Sequence, residues 1–144
     1  MPTMSATATV VAQCNISTTA LNFGTTSSLP SNVDSTATIT AQCNNSLPYS
    51  IGLGNGTNAS GSQRRMRLGA TTGYLNYGLY TDSARSSSWT TSTATTSCTG
   101  GANTCLLGTG TGSNQSITVY GRVPPQTVPA IGTFTDTVVV TITF

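Results

Sequence analysis

Acid–base chemistry in this sequence rests on three carboxylates, Asp34, Asp82 and Asp136. All five cations are arginine, at positions 64, 65, 67, 85 and 122, and His, Glu and Lys are absent. A general base working near neutral pH would have to be one of those aspartates or a tyrosine. A carboxylate pair can hydrolyse a glycoside. Here, however, Asp34 and Asp82 fall in segments that read as turns and Asp136 opens the last strand, so each is expected to accept local hydrogen bonds. Serines are many, but none has an activating partner and no Gly-x-Ser-x-Gly occurs. The run Gly108-Thr109-Gly110-Thr111-Gly112 has the look of a phosphate cradle without the following helix or Lys, and reads as a hairpin turn. The residues therefore predict no enzyme, no cofactor and no small-molecule substrate.

The four cysteines point to oxidising surroundings. Cys14 and Cys43 lie in an internal echo, Val11-Ala12-Gln13-Cys14-Asn15 and Thr40-Ala41-Gln42-Cys43-Asn44. Cys98 and Cys105 flank a Gly-containing hexapeptide, a spacing that suits a pinned loop tip. Four cysteines allow three pairings. The echo favours Cys14–Cys43 and Cys98–Cys105. A zinc site has no CxxC and no His to build from.

Composition narrows the class further. Charged residues are 6% of the 144-residue chain, against about 25% in ordinary soluble domains. Ser and Thr make up about a third of the sequence, so hydroxyls keep the surface wet. Low charge favours self-association. A net charge of +2 with five arginines is a poor phosphate track, which argues against nucleic acid. No apolar run approaches the ~20 residues that span a bilayer. Met1 to Val11 lacks the basic start and apolar stretch of a secretory leader, so an exported chain is expected here in mature form.

Strand periodicity dominates the chain. The good helix formers Glu and Lys are missing, and β-branched residues and Gly interrupt every window. Strands are expected over Thr3 to Ile16, Ala20 to Gly24, Ser35 to Cys43, Tyr49 to Leu53, Tyr74 to Thr81, Gln115 to Arg122 and Thr133 to Phe144. Met66 and Leu68 fit a short edge strand, Gly54 to Gly61 a loop, and Ser86 to Cys105 a long loop with Trp89 as its anchor. Val138, Val140, Ile142 and Phe144 share one parity, which predicts a closing strand ending on a buried aromatic. Met4, Ala6, Ala8 and Val10 alternate with Thr3, Ser5, Thr7 and Thr9 in the same way. Closely spaced strands and turn signals predict one antiparallel β-sandwich domain. One strand that closes a core and another free to leave it point to subunits linked by strand exchange.

Several of these segments resemble one family. Leu21-Asn22-Phe23-Gly24, the paired cysteines, Leu75-Asn76-Tyr77-Gly78-Leu79-Tyr80-Thr81-Asp82, Val119-Tyr120-Gly121-Arg122-Val123-Pro124 and Phe134 to Phe144 are similar in order and spacing to the spore coat protein U domain. That domain is also the subunit fold of archaic chaperone–usher pili of Gram-negative bacteria. The resemblance covers nearly the whole chain from Cys14 onward.

The resemblance implies an immunoglobulin-like β-sandwich that lacks its final strand and is completed by a donor strand from a neighbouring subunit. It implies residues 1–11 as the donor extension and 12–144 as the pilin domain. Met4, Ala6, Ala8 and Val10 are then the donor knobs. Leu21, Phe23, Val138, Val140, Ile142 and Phe144 belong to the acceptor groove and core. The implied partners are identical subunits, a periplasmic chaperone and an outer-membrane usher, and the product is an extracellular filament for adhesion and biofilm formation. Two other readings remain: a tip adhesin or lectin-like module using Trp89, Tyr74 and Tyr80, and a coat protein that forms no filament.

Overall fold

In the computed structural model, residues 1–91 and 105–144 are described, and all regular structure among them is β. Nine strands follow in order: β1 Cys14–Thr18, β2 Val33–Cys43, β3 Pro48–Leu53, β4 Arg64–Leu68, β5 Tyr74–Tyr80, β6 Leu106–Thr109, β7 Gln115–Val123, β8 Phe134–Thr135 and β9 Val140–Thr143. They form two sheets. The larger has the order β1-β2-β7-β5-β4-β8 and the smaller β6-β3-β9. Every ladder is antiparallel.

Alternation decides which residues enter the core. Along β2 and β7, Ile39, Ala41, Val119 and Val123 point inward, while Leu75, Tyr77 and Leu79 do so on β5. From the small sheet Tyr49, Ile51 and Leu53 face them. Trp89 is fully buried among these groups, and its indole N–H donates to the Ile51 carbonyl at 2.8 Å, which satisfies the ring's one polar atom.

Arg64 joins the two sheets from inside. Its side chain is buried, and its guanidinium donates to the carbonyls of Leu53, Gly54 and Trp89 at 2.7–2.8 Å. Burial lowers its pKa, with Tyr77 and Asp136 acting the other way. The bonds supply what desolvation of a charge requires.

Several elements depart from the sequence expectation. Residues 1–13 form no strand and are exposed throughout, so the expected Thr3 to Ile16 strand begins only at Cys14, where β2 offers a partner. Ala20 to Gly24 belongs to no ladder, although Leu21 and Phe23 pack on the core. The turn expected at Gly108 to Gly112 overlaps β6, which pairs with β3. Strand β4 is not an edge, because β5 lies on one side and β8 on the other. Asp34 is not in a turn but within β2, bonded to Arg122 at 2.7 and 2.8 Å. The closing strand is split into β8 and β9, and Phe144 is 49% exposed rather than buried.

Candidate functional site

A long apolar cleft opens between two stretches of chain that do not bond to each other. One wall is residues 18–23 and the other residues 134–140. The cleft holds a volume of about 370 Å³ at one end and about 550 Å³ at the other. Leu21, Phe23, Met66 and Phe134 line both parts, so the two are one groove. Ile39, Tyr77, Leu79 and Val119 form its floor.

The first wall continues β1 past its ladder. The Thr19 N–H donates to the Thr38 carbonyl at 2.9 Å, and the Ser35 hydroxyl donates to the Asn22 carbonyl at 2.6 Å. Leu21 and Phe23 then rest against Gly121 of β7. A Cβ at Gly121 would come within 2.7 Å of Leu21 Cδ2, so a larger residue there would have to displace the ends of these side chains. Phe23 meets Tyr77 edge to face, with ring centroids 6.1 Å apart.

The second wall is the last stretch of the chain, and three carbonyls of its outer edge are bonded. Thr135, Thr137 and Val139 each turn a carbonyl to the loop after β3. They accept from Asn58 Nδ2 at 3.1 Å, Thr57 N–H at 3.1 Å and Gly54 N–H at 2.8 Å. Strand β9 then continues beside β3. Backbone polar groups alternate in direction along an extended chain. The N–H and C=O groups of Asp136, Val138, Val140 and Ile142 therefore face the groove. The same four residues carry the inward side chains: Val138, Val140 and Ile142 are half-buried against the core. An apolar groove bordered by a long unpaired edge is a template for another strand.

Asp136 fixes this wall. Its carboxylate accepts from the Tyr77 hydroxyl at 2.6 Å, the Thr57 hydroxyl at 3.1 Å, and the Asn58 backbone and side-chain amides at 3.1 and 3.2 Å. Gly56, at φ +90°, passes so close that a Cβ there would overlap the carboxylate. Burial, with the Asp136 hydrogen bond and charge, pushes the Tyr77 hydroxyl far above the ordinary tyrosine range. From the sequence, Asp136 is expected only to accept a hydrogen bond at a strand entry. Its role as the hub of three elements depends on a loop nearly 80 residues away, and no local pattern signals that.

The other aspartates are engaged elsewhere. Asp34 lies between Arg122 and Arg85, and the Arg122 hydrogen bond holds its pKa below the usual carboxylate range. Asp82 accepts from the Ser86 hydroxyl and from the Ser86 and Ser87 backbone, which also lowers its pKa. Among the described residues, no three His, Cys, Asp or Glu side chains cluster as a metal site would need.

The N-terminal residues lie outside the groove. Met4 is 94% and Val10 88% exposed, and Ala6 and Ala8 are exposed too. At the root of this tail Cys14 is disulfide-bonded to Cys43, directly opposite it in the β1–β2 register. The ladder runs one residue further: Asn44 N–H donates to the Gln13 carbonyl at 3.1 Å, and Gln13 N–H donates to Asn44 Oδ1 at 2.5 Å. Cys105 is buried. The expected Cys98–Cys105 pair lies outside the described residues through Cys98.

The two antiparallel sheets and their core define the class: an immunoglobulin-like β-sandwich. One match in fold is to a chain of the crystal structure of the CsuC–CsuE chaperone–tip adhesion subunit pre-assembly complex, from archaic chaperone–usher Csu pili of Acinetobacter baumannii. It has a TM-score of 0.62 at 21% identity, and covers 94% of this chain and 41% of that one. The Spore Coat Protein U domain profile matches residues 1–141, and the chain belongs to that family. It is also 46% identical over 90 residues to Protein U of Myxococcus xanthus, covering 62% of this chain and 45% of that protein. The chain thus spans less than half the length of both relatives.

Proposed function

We propose that this chain is a structural subunit of an archaic chaperone–usher pilus and polymerises by donor-strand exchange. The observation that carries the reading is the pairing of a groove with an unfilled strand position and an exposed tail, within one chain, whose apolar residues alternate. Residues 1–11 are the donor extension and residues 12–144 the domain that accepts the donor of a second copy. The exposed Met4 and Val10 side chains gain about 1.5–3 kcal/mol each when fully buried, and the free edge of the last strand gains its missing hydrogen bonds.

A groove this apolar needs cover before assembly. A periplasmic chaperone fills that role, in keeping with the chaperone complex in which the structural relative was crystallised. An outer-membrane usher then exchanges chaperone for subunit, and the product is an extracellular filament serving adhesion and biofilm growth. The tip-adhesin reading loses one of its three contact residues, because Trp89 is fully buried.

The test is negative-stain electron microscopy of the purified chain, together with an electrophoretic ladder after boiling in detergent. Thin filaments and a detergent-resistant ladder are expected, both lost when residues 1–11 are deleted. Filaments that persist after the deletion overturn the proposal.

A further inference from the structure

From the edge geometry we infer the register of the exchanged strand: Met4, Ala6, Ala8 and Val10 of one copy lie opposite Ile142, Val140, Val138 and Asp136 of the next, antiparallel. This rests on the strand-exchange reading and adds which residue meets which.

The alternation of the last strand sets the frame. The carbonyls of Thr135, Thr137 and Val139 are taken by the loop after β3. The backbone groups of Asp136, Val138, Val140 and Ile142 are therefore the ones presented to a new strand. Those residues also turn their side chains inward. In an antiparallel ladder, residues directly opposite share a face and a hydrogen-bonding sense. The donor must therefore place its inward, apolar residues opposite these four. Its apolar residues are the even-numbered Met4, Ala6, Ala8 and Val10, and the polar Thr3, Ser5, Thr7 and Thr9 then face solvent. Thr135, Thr137, Val139 and Thr141 face solvent on the acceptor strand as well.

Direction and offset follow. Antiparallel pairing is the more stable ladder per residue, and every ladder in this fold already uses it. With four apolar positions set on four free ones, Pro2 falls opposite Phe144, past the end of β9 and half-exposed, where water can serve the group that its missing N–H leaves. Sliding the donor two residues the other way puts Pro2 opposite Ile142 and orphans an acceptor there. Sliding it oppositely leaves the Asp136 position to Ala12. Ala12 is next to Gln13, which is already bonded to Asn44 of its own domain.

Cysteine pairs on the outward faces test this without touching the core. Residues in a non-hydrogen-bonded antiparallel pair are about 4.5 Å apart, within disulfide reach, and a diagonal neighbour at about 7–8 Å is not. Thr9→Cys in the full-length chain is combined in turn with Thr135→Cys, Thr137→Cys, Val139→Cys or Thr141→Cys. Filaments are oxidised and run on a non-reducing gel after full denaturation. A covalent ladder with Thr137→Cys and its loss with the other three is the expected result. A ladder with Thr135→Cys or Val139→Cys overturns the offset, and one with Thr141→Cys overturns the direction. Filaments that cross-link at none of the four overturn the register but leave tail-dependent assembly standing. A parent chain that forms no filaments removes the strand-exchange reading, and the register with it.

Discussion

The Tyr77 hydroxyl donates to the Asp136 carboxylate at 2.6 Å, tying a buried ring on β5 to the wall of the groove. Tyr77 is only 5% exposed, so its hydroxyl has little access to water if the carboxylate is removed. Tyr77→Phe keeps the ring and deletes a hydrogen bond to a charged acceptor. The expected cost is about 1.5–3 kcal/mol in denaturant unfolding. The alkaline limb should change as well. The folded pKa of Tyr77 is raised above its ordinary 10.0. The native state therefore keeps a proton that the unfolded chain releases. This contribution is fully present below about pH 10 and is lost as pH rises further. The Phe variant should lose less stability over that range than the parent, which unfolding curves at stepped alkaline pH would reveal.

The Cys14–Cys43 bond closes a loop with a sequence separation of 29. In the chain-entropy account such a loop contributes about 3–4 kcal/mol. Replacing both cysteines with Ser should lower the denaturant midpoint accordingly. The bond also anchors the root of the tail together with the Gln13–Asn44 pair. The midpoint is expected to fall and the slope of unfolding to rise, since the denatured chain without its cross-link is less compact and exposes more surface. An unaltered midpoint would show that the ladder alone holds β1 to β2.

Two aromatic residues separate burial from position in the chain. Trp89 lies in a segment poor in aliphatics and is fully buried, with its N–H satisfied. Phe144 follows a regular apolar alternation and is 49% exposed. Trp89→Ala should cost about 3–5 kcal/mol. Phe144→Ala should cost about 1 kcal/mol or less, as at a surface position. Parallel melts of the two variants would check the order.

These contrasts show which parts of the fold could be read from the sequence. The strands β2, β5 and β7 carry clean alternation because each has one face on the core, while β3 alternates large with small residues and is buried on both faces; all four stand close to their expected bounds. Alternation says only that a segment can be a strand, not that a partner exists. Met4 to Val10 and Ala20 to Gly24 alternate as well as any, yet neither belongs to a ladder in the lone chain. For Gly108 and Thr109 the local signal is turn chemistry, and the cross-strand partners Tyr49 and Pro48 make them part of a strand. Of the residues that the family resemblance assigns to a groove, Leu21, Phe23, Val138 and Val140 line the cleft. The cleft's rigid wall was not legible, because the Asp136 contacts to Tyr77, Thr57 and Asn58 all come from distant parts of the chain.

The tail offers a substitution that divides folding from assembly. Ala8 is exposed and belongs to none of its own domain's ladders. Ala8→Asp should therefore leave the stability of the isolated domain within about 0.5 kcal/mol of the parent. In the proposed register the same residue would lie opposite Val138 and over an apolar floor that includes Leu79 and Val119. A carboxylate without a partner there is expensive to bury. The expected outcome is an unchanged melting temperature for the monomer and no growth of filaments. Mixing the variant with parent subunits sharpens the test. Its own groove is intact, so it can accept a parent tail but cannot donate one. Added in small amounts it should stop chain growth at one end and shorten the filaments seen by electron microscopy. Filaments of parental length and number from Ala8→Asp alone would show that the tail is not the strand that fills the groove.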